Sequence, residues 1–103
     1  IHKANLYYKM ENWKAAAYAL DVFIDKYPVS KYREEAMFKI ADAKYNYAVN
    51  SVKQKQPDRY EEALQAVDEF LSEYPESEYK KQAEKIRKNS RKAVEGLQIT
   101  NKD

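Results

Sequence analysis

The sequence predicts an all-α protein assembled from a tandem helical repeat, and three observations carry that reading. The segment Phe23-Ile24-Asp25-Lys26-Tyr27-Pro28-Val29-Ser30-Lys31-Tyr32 returns as Phe70-Leu71-Ser72-Glu73-Tyr74-Pro75-Glu76-Ser77-Glu78-Tyr79. Around both copies the apolar residues advance by three or four positions, the period of a helix with one buried stripe. The 103 residues contain one Gly and three Pro, too little turn chemistry for a sheet. Tyr27 and Tyr74 stand 47 residues apart, and at that offset Trp13 falls on Tyr60, Ala16 on Ala63, Leu20 on Val67, Ile24 on Leu71 and Ala36 on Ala83.

Each element follows from its own residues. A first helix ends near Lys9, with Ala4, Tyr7 and Tyr8 at helical spacing, and Met10-Glu11-Asn12 forms a short turn whose Asn12 caps the next helix. The second helix spans 13–26 and buries Trp13, Ala16, Ala17, Leu20, Phe23 and Ile24. Pro28 ends it, because it disfavours an α conformation at Tyr27 and donates no amide hydrogen, while Ser30 offers an oxygen to the following N–H groups. A third helix is expected over 31–52, with Tyr32, Ala36, Ile40, Ala43 and Tyr47 inward. Lys53-Gln54-Lys55-Gln56-Pro57 reads as a connection. Asp58, with Glu61 three positions on, reads as a capping box that opens a helix over 59–73. That helix buries Tyr60, Ala63, Leu64, Val67, Phe70 and Leu71. The last helix is expected over 78–97, with Tyr79, Ala83, Ile86, Val94 and Leu97 inward and Ser90 outside that stripe. Ile99 to Asp103 is read as a frayed tail. The domain plan is therefore the end of a preceding repeat (1–10), repeat one (11–52), a connection (53–57), repeat two (58–98) and a tail. The opening Ile1-His2, without a Met, suggests a piece cut from a longer protein.

Composition narrows the function. Without Cys there is no disulfide, thiolate ligand or cysteine nucleophile, and no compartment follows from that alone. No apolar run approaches the roughly 20 residues of a membrane span, and no signal-peptide pattern opens the chain. His2 is the single histidine and sits at the cut end, so neither a histidine-based triad nor a histidine metal site is expected. Glu34-Glu35 and Glu61-Glu62 are adjacent on helices and point in different directions, and Glu35 reads as the i,i+4 partner of Lys39. Gly96 suits a late-helix or C-cap position. No enzyme, cofactor or metal is expected.

The net charge is only +2, but it is unevenly spread. Eight acids face Arg59 between Asp58 and Glu78, whereas seven bases face Glu84 between Lys80 and Lys92. Such runs form either solvated helix faces or a polar tip that orients a partner. The ten tyrosines interleaved with bases have the composition of a base-stacking surface. Tyr27, Tyr32, Tyr60, Tyr74 and Tyr79 nevertheless hold repeat positions at helical spacing, so they are expected in the inter-helix core, with Tyr18 exposed and no nucleic acid bound.

Trp13-x-x-Ala16-Ala17, then Leu20, Phe23 and Pro28, followed by Ala36 in the partner helix, resembles the tetratricopeptide repeat. The fold this resemblance implies is a set of antiparallel helix pairs stacked in a right-handed α-solenoid. The 47-residue period exceeds the usual ~34, so the second helix and its connection are extended. The Tyr-Pro-x-Ser-x-Tyr turn and the segment Ala4-Asn5-Leu6-Tyr7-Tyr8-Lys9-Met10-Glu11-Asn12-Trp13-Lys14-Ala15-Ala16 resemble the BamD-like (YfiO) family of outer-membrane assembly lipoproteins.

That resemblance implies a scaffold on the periplasmic side of the outer membrane, held by a lipid anchor outside this segment. The implied partners are the barrel-forming subunit of the assembly machinery, other assembly lipoproteins and unfolded outer-membrane proteins. The Tol-Pal-associated periplasmic repeat proteins share the Tyr-Pro-x-Ser turn and stand as the alternative. With Trp13 and Tyr60 as anchors, the tetratricopeptide pattern implies a groove lined by Lys14, Tyr18, Asp21 and Val22, then by Glu61, Gln65, Asp68 and Glu69. Arg87, Lys88 and Arg91 on the last helix are the expected basic contacts.

Overall fold

The computed structural model describes the backbone of residues 2–102 and the side chains of residues 4–96; the side chains of His2 and Leu97 and all of Asp103 lie outside these. Among the described residues five helices follow one another: α1 (His2–Lys9), α2 (Trp13–Lys26), α3 (Arg33–Val49), α4 (Gln56–Glu73) and α5 (Lys80–Lys102). Among the described residues there is no strand. Each helix packs on the next, and α3 also reaches α5, in a slab of 47 × 29 × 19 Å.

The connection between α1 and α2 is built as expected, with one strained residue. Asn12 N donates to Tyr7 O (2.9 Å) and Glu11 N to Tyr8 O (3.0 Å), the paired bonds of a Schellman motif. That motif needs a left-handed residue, and Glu11 supplies it at φ 58°. Asn12 then caps α2, its side-chain oxygen accepting from Ala15 N at 3.3 Å.

The two Tyr-Pro turns are the same structure made twice. Tyr27 has φ/ψ of −129°/66° and Tyr74 −128°/66°, and each N–H returns to the carbonyl four residues back, Phe23 or Phe70, at 2.9 Å. Ser30 Oγ accepts from Tyr32 N at 3.1 Å, and Ser77 Oγ from Tyr79 N at 3.0 Å. These serine turns occupy the amides at 32 and 79, so α3 begins at Arg33 rather than Lys31 and α5 at Lys80 rather than Glu78. At its other end α3 stops at Val49, where Ser51 N bonds Ala48 O in a tightened last turn. The helix α5 runs beyond the expected end to Lys102.

The start of α4 corrects the capping-box expectation. The helix begins at Gln56 after Lys55, and Pro57 sits inside its first turn. There a proline amide would have no partner in any case, so the ring costs nothing. Asp58 is a first-turn acid, not the cap.

One main core joins Leu20 of α2, Ala36, Ile40 and Ala41 of α3, Ala66, Val67 and Phe70 of α4, and Ala83 and Ile86 of α5. The alanines of α3 let helices approach from several sides: Ala36, Ala41, Ala43 and Ala48 are all fully buried. Phe38 ties the repeats together, stacked on Tyr79 at 4.7 Å and tilted against Phe70 at 5.8 Å. Tyr8 fastens α1 to α3 through the Lys39 carbonyl and Asp42 Oδ2, both at 2.8 Å. Burial first, then the Asp42 charge, holds its hydroxyl far above the ordinary tyrosine range.

Two tyrosines depart from the expected core. Tyr27 is 50% and Tyr32 46% exposed, whereas Tyr74 and Tyr79 at the same repeat positions are half-buried. The second pair meets α3: Arg33 Nη1 donates to Tyr74 Oη at 3.2 Å, and Tyr79 stacks on Phe38. No described helix stands in that place for the first pair. Ser90, placed outside the stripe by sequence, is fully buried, and its hydroxyl has no hydrogen-bond partner.

Candidate protein-interaction surfaces

The outward charges gather into two surfaces. At the 47-residue offset, Met37, Phe38, Ile40, Ala41, Tyr45 and Ala48 of α3 correspond to Glu84, Lys85, Arg87, Lys88, Lys92 and Glu95 of α5. The α3 residues share cores with the second helix pair: Ile40 and Ala41 lie in one cluster with Ala66 and Val67, and Tyr45 and Ala48 in another with Tyr60. Their α5 counterparts are solvent-exposed except Arg87, which is half-buried. This side of α5 therefore presents charge at the positions where α3 presents apolar groups to the second helix pair. Lys81, Lys85, Arg87, Lys88, Arg91 and Lys92, with Glu84 and Glu95, line a shallow concavity of about 610 Å³ there.

The acidic surface lies on α4. Glu61, Gln65, Asp68 and Glu69, all exposed, line one open concavity of about 500 Å³ with Glu62, Leu64 and Arg91. The expected residues of the second unit are thus brought together, with one expected α5 contact at their edge. Arg87 and Asp68, each expected to meet a partner, are spent largely on one another: Arg87 Nε and Nη2 donate to Asp68 Oδ1 at 3.1 and 2.7 Å. That bridge joins the acidic face to the basic one.

Of the first unit, Asp21 reaches the second. It lines a narrower cavity of about 180 Å³ between α2, α3 and α4, with Ile24, Arg33, Met37, Ile40, Lys44, Ala66 and Glu69. Partial burial raises the Asp21 pKa from its ordinary value; Lys44 opposes the shift, and Asp25 and Glu69 add to it. Lys14, Tyr18 and Val22 are exposed on α2, Tyr18 at 72%, and line none of these concavities. Sequence reading placed Ile40 inward but missed Arg33, Met37 and Lys44 beside it; the spacing of three or four along these four residues was the available signal.

Across the helices a second ion pair secures the stack. Arg33 bonds Glu73 through both guanidinium nitrogens, Nη2 to Oε1 at 3.0 Å and Nη1 to Oε2. The bond to Arg33 lowers the Glu73 pKa. Beside it Ser77 Oγ donates to Glu34 Oε2 at 2.7 Å. The expected Glu35–Lys39 pair is present at 3.8 Å. Gly96 lies within α5.

No group of three or more His, Cys, Asp or Glu side chains among the described residues is placed to hold a metal ion. No described helix is long and apolar enough to cross a membrane. No curated protein matches the chain. Residues 1–95 match the YfiO family, described as outer membrane lipoprotein, and the Tol-Pal alternative gains no support. Since that match runs from α1 through both Tyr-Pro turns and most of α5, the chain belongs to the YfiO family of outer membrane lipoproteins.

Proposed function

We propose that this chain is a non-enzymatic, tetratricopeptide-type scaffold of the outer-membrane β-barrel assembly machinery, with its helix pairs wound as a right-handed solenoid. It docks the periplasmic domains of the barrel-forming subunit, and its company includes other assembly lipoproteins and unfolded outer-membrane proteins. In the full-length protein a lipid anchor outside this segment holds it to the periplasmic side of the outer membrane.

The observation that carries the reading is the composition of the α5 concavity, six bases to two acids. A face that only kept α5 soluble would intersperse both signs. A predominantly basic field on a rigid helix instead attracts and orients an acidic surface. The acidic α4 face offers the opposite sign beside it, fixed in place by the Arg87–Asp68 bridge. One partner surface with complementary stripes would read both at once.

The test is the affinity of the chain for the barrel-forming subunit's purified periplasmic domains across a salt series. Exposed charges are screened within ~8 Å at physiological ionic strength, so the scaffold reading expects a dissociation constant that climbs steadily with salt. Absence of binding at low salt, or binding indifferent to salt, refutes it.

A further inference from the structure

The geometry points to the cavity between α2, α3 and α4 as a slot for one arginine side chain of a partner protein. The inference deepens the reading of this chain as a protein-binding scaffold and rests on it. Three features of the cavity argue for that occupant.

Its floor is apolar. Ile40 and Ala66 are buried, Ile24 and Met37 half-buried, and all four line the same 180 Å³. At about 180 Å³ the space is the smallest of the concavities described above. That suits one long side chain and is far too small for a helix or strand. A polar ligand would leave this floor unmatched, whereas the methylene stem of arginine covers it.

Its rim is anionic on two different helices. Asp21 on α2 and Glu69 on α4 line the cavity and are exposed, so their carboxylates meet the floor at the mouth. A planar guanidinium presents donors along two edges and can serve carboxylates approaching from separate sides, which a point-charge ammonium does less well.

The cations already present leave that rim in excess. Arg33 lines the cavity, but its guanidinium is held by Glu73 and Tyr74. Lys44 is the cation that offsets the Asp21 charge, while Asp25 and Glu69 oppose it. Asp21, Asp25 and Glu69 thus confront Lys44 alone, and an incoming guanidinium halves that excess of negative charge. No residue of α5 lines this cavity, so the slot is separable from the basic face.

The test uses the whole chain and N-acetyl-arginine amide, a single guanidinium with blocked ends, titrated by NMR. N-acetyl-citrulline amide, of the same shape without the charge, is the control. The slot predicts saturable shifts centred on Ile24, Met37, Ile40 and Ala66, with the citrulline probe at least tenfold weaker. Ala66→Leu fills the floor without changing charge and should abolish the effect. Asp21→Asn, at a solvent-open site that leaves folding intact, should weaken binding about tenfold, the worth of one charge-assisted hydrogen bond. Shifts spread over Glu61 and Glu62 and indifferent to both substitutions overturn the slot and leave the broader acidic face standing. Equal binding of citrulline, or no binding by wild type at the highest soluble concentration, also overturns it. Salt-dependent binding of the partner domains through α5 survives each of those failures, so the two readings fall separately.

Discussion

Replacing Ser90 by Ala should stabilise this protein, and the repeat itself supplies the reason. Ser90 is 0% exposed and its hydroxyl meets no acceptor or donor. Its counterpart 47 residues earlier is Ala43, also 0% exposed, so the native scaffold already accepts a methyl in that setting. A buried polar group left unpaired costs about 1–3 kcal/mol relative to its hydrated state. Alanine also gains a few tenths of a kcal/mol in intrinsic helix preference over serine. Against these stands the small void left by one oxygen, costing less than the ~1 kcal/mol of a lost methylene. The net expectation is a gain of about 1 kcal/mol, which in a chain of this size raises Tm by roughly 4–8 °C. Urea and thermal unfolding followed by far-ultraviolet circular dichroism would measure it, with an unchanged m value showing that the unfolded reference is the same. The mirror substitution Ala43→Ser should cost a similar amount. If Ser90→Ala destabilises, the hydroxyl has a partner and the reasoning fails.

Two further outcomes follow from single residues. Glu73→Gln breaks the Arg33 pair and should cost about 0.5–1 kcal/mol at pH 7, the upper range for a solvent-screened bidentate pair. Because the folded pKa of Glu73 is depressed, its contribution is present above the unfolded carboxylate value and is lost as pH falls through the folded one. Wild-type and Glu73→Gln melting curves should therefore converge in acid, and a gap that persists there contradicts the assignment. Glu11→Gly removes a side chain from φ 58°, where a non-glycine residue costs roughly 1–2 kcal/mol. After the extra chain entropy of glycine, about 0.5–1 kcal/mol, a small gain in stability should remain, and a loss would show that Glu11 makes a contact worth more than its strain.

How far the fold could be read depended on whether the deciding interaction was local. The bounds of α2 followed from Asn12 before it and Pro28 after it, and the structure places both as expected. The start of α4 did not, because Pro57 reads as part of a connection in sequence although a proline fits the first turn of a helix. Tyr27 and Tyr32 show a different limit. Their repeat position was legible, but burial at that position is conferred by the helix that packs there, and the described residues supply one only for Tyr74 and Tyr79. Ser90 was hidden among charges, and the register onto Ala43 was the overlooked clue.

The candidate surfaces divide in the same way. Glu61, Gln65, Asp68 and Glu69 share a helix face, and helical spacing alone groups them. The bridge from Arg87 to Asp68 and the meeting of Asp21 with Glu69 join different helices. No spacing rule connects residues whose proximity depends on how α2, α4 and α5 stack. Two of the predicted contacts, Arg87 and Asp68, therefore have a partner within the chain.

The most direct test of the scaffold reading is the change in affinity for the barrel-forming subunit's periplasmic domains when Lys88, Arg91 and Lys92 are all replaced by Glu. Arg87 is left intact so that its bridge to Asp68 is undisturbed. These three side chains are exposed, so the variant should fold as wild type does. The reading predicts binding at least tenfold weaker, about 1.4 kcal/mol, together with a shallower salt dependence. Unchanged affinity in a folded variant would contradict it.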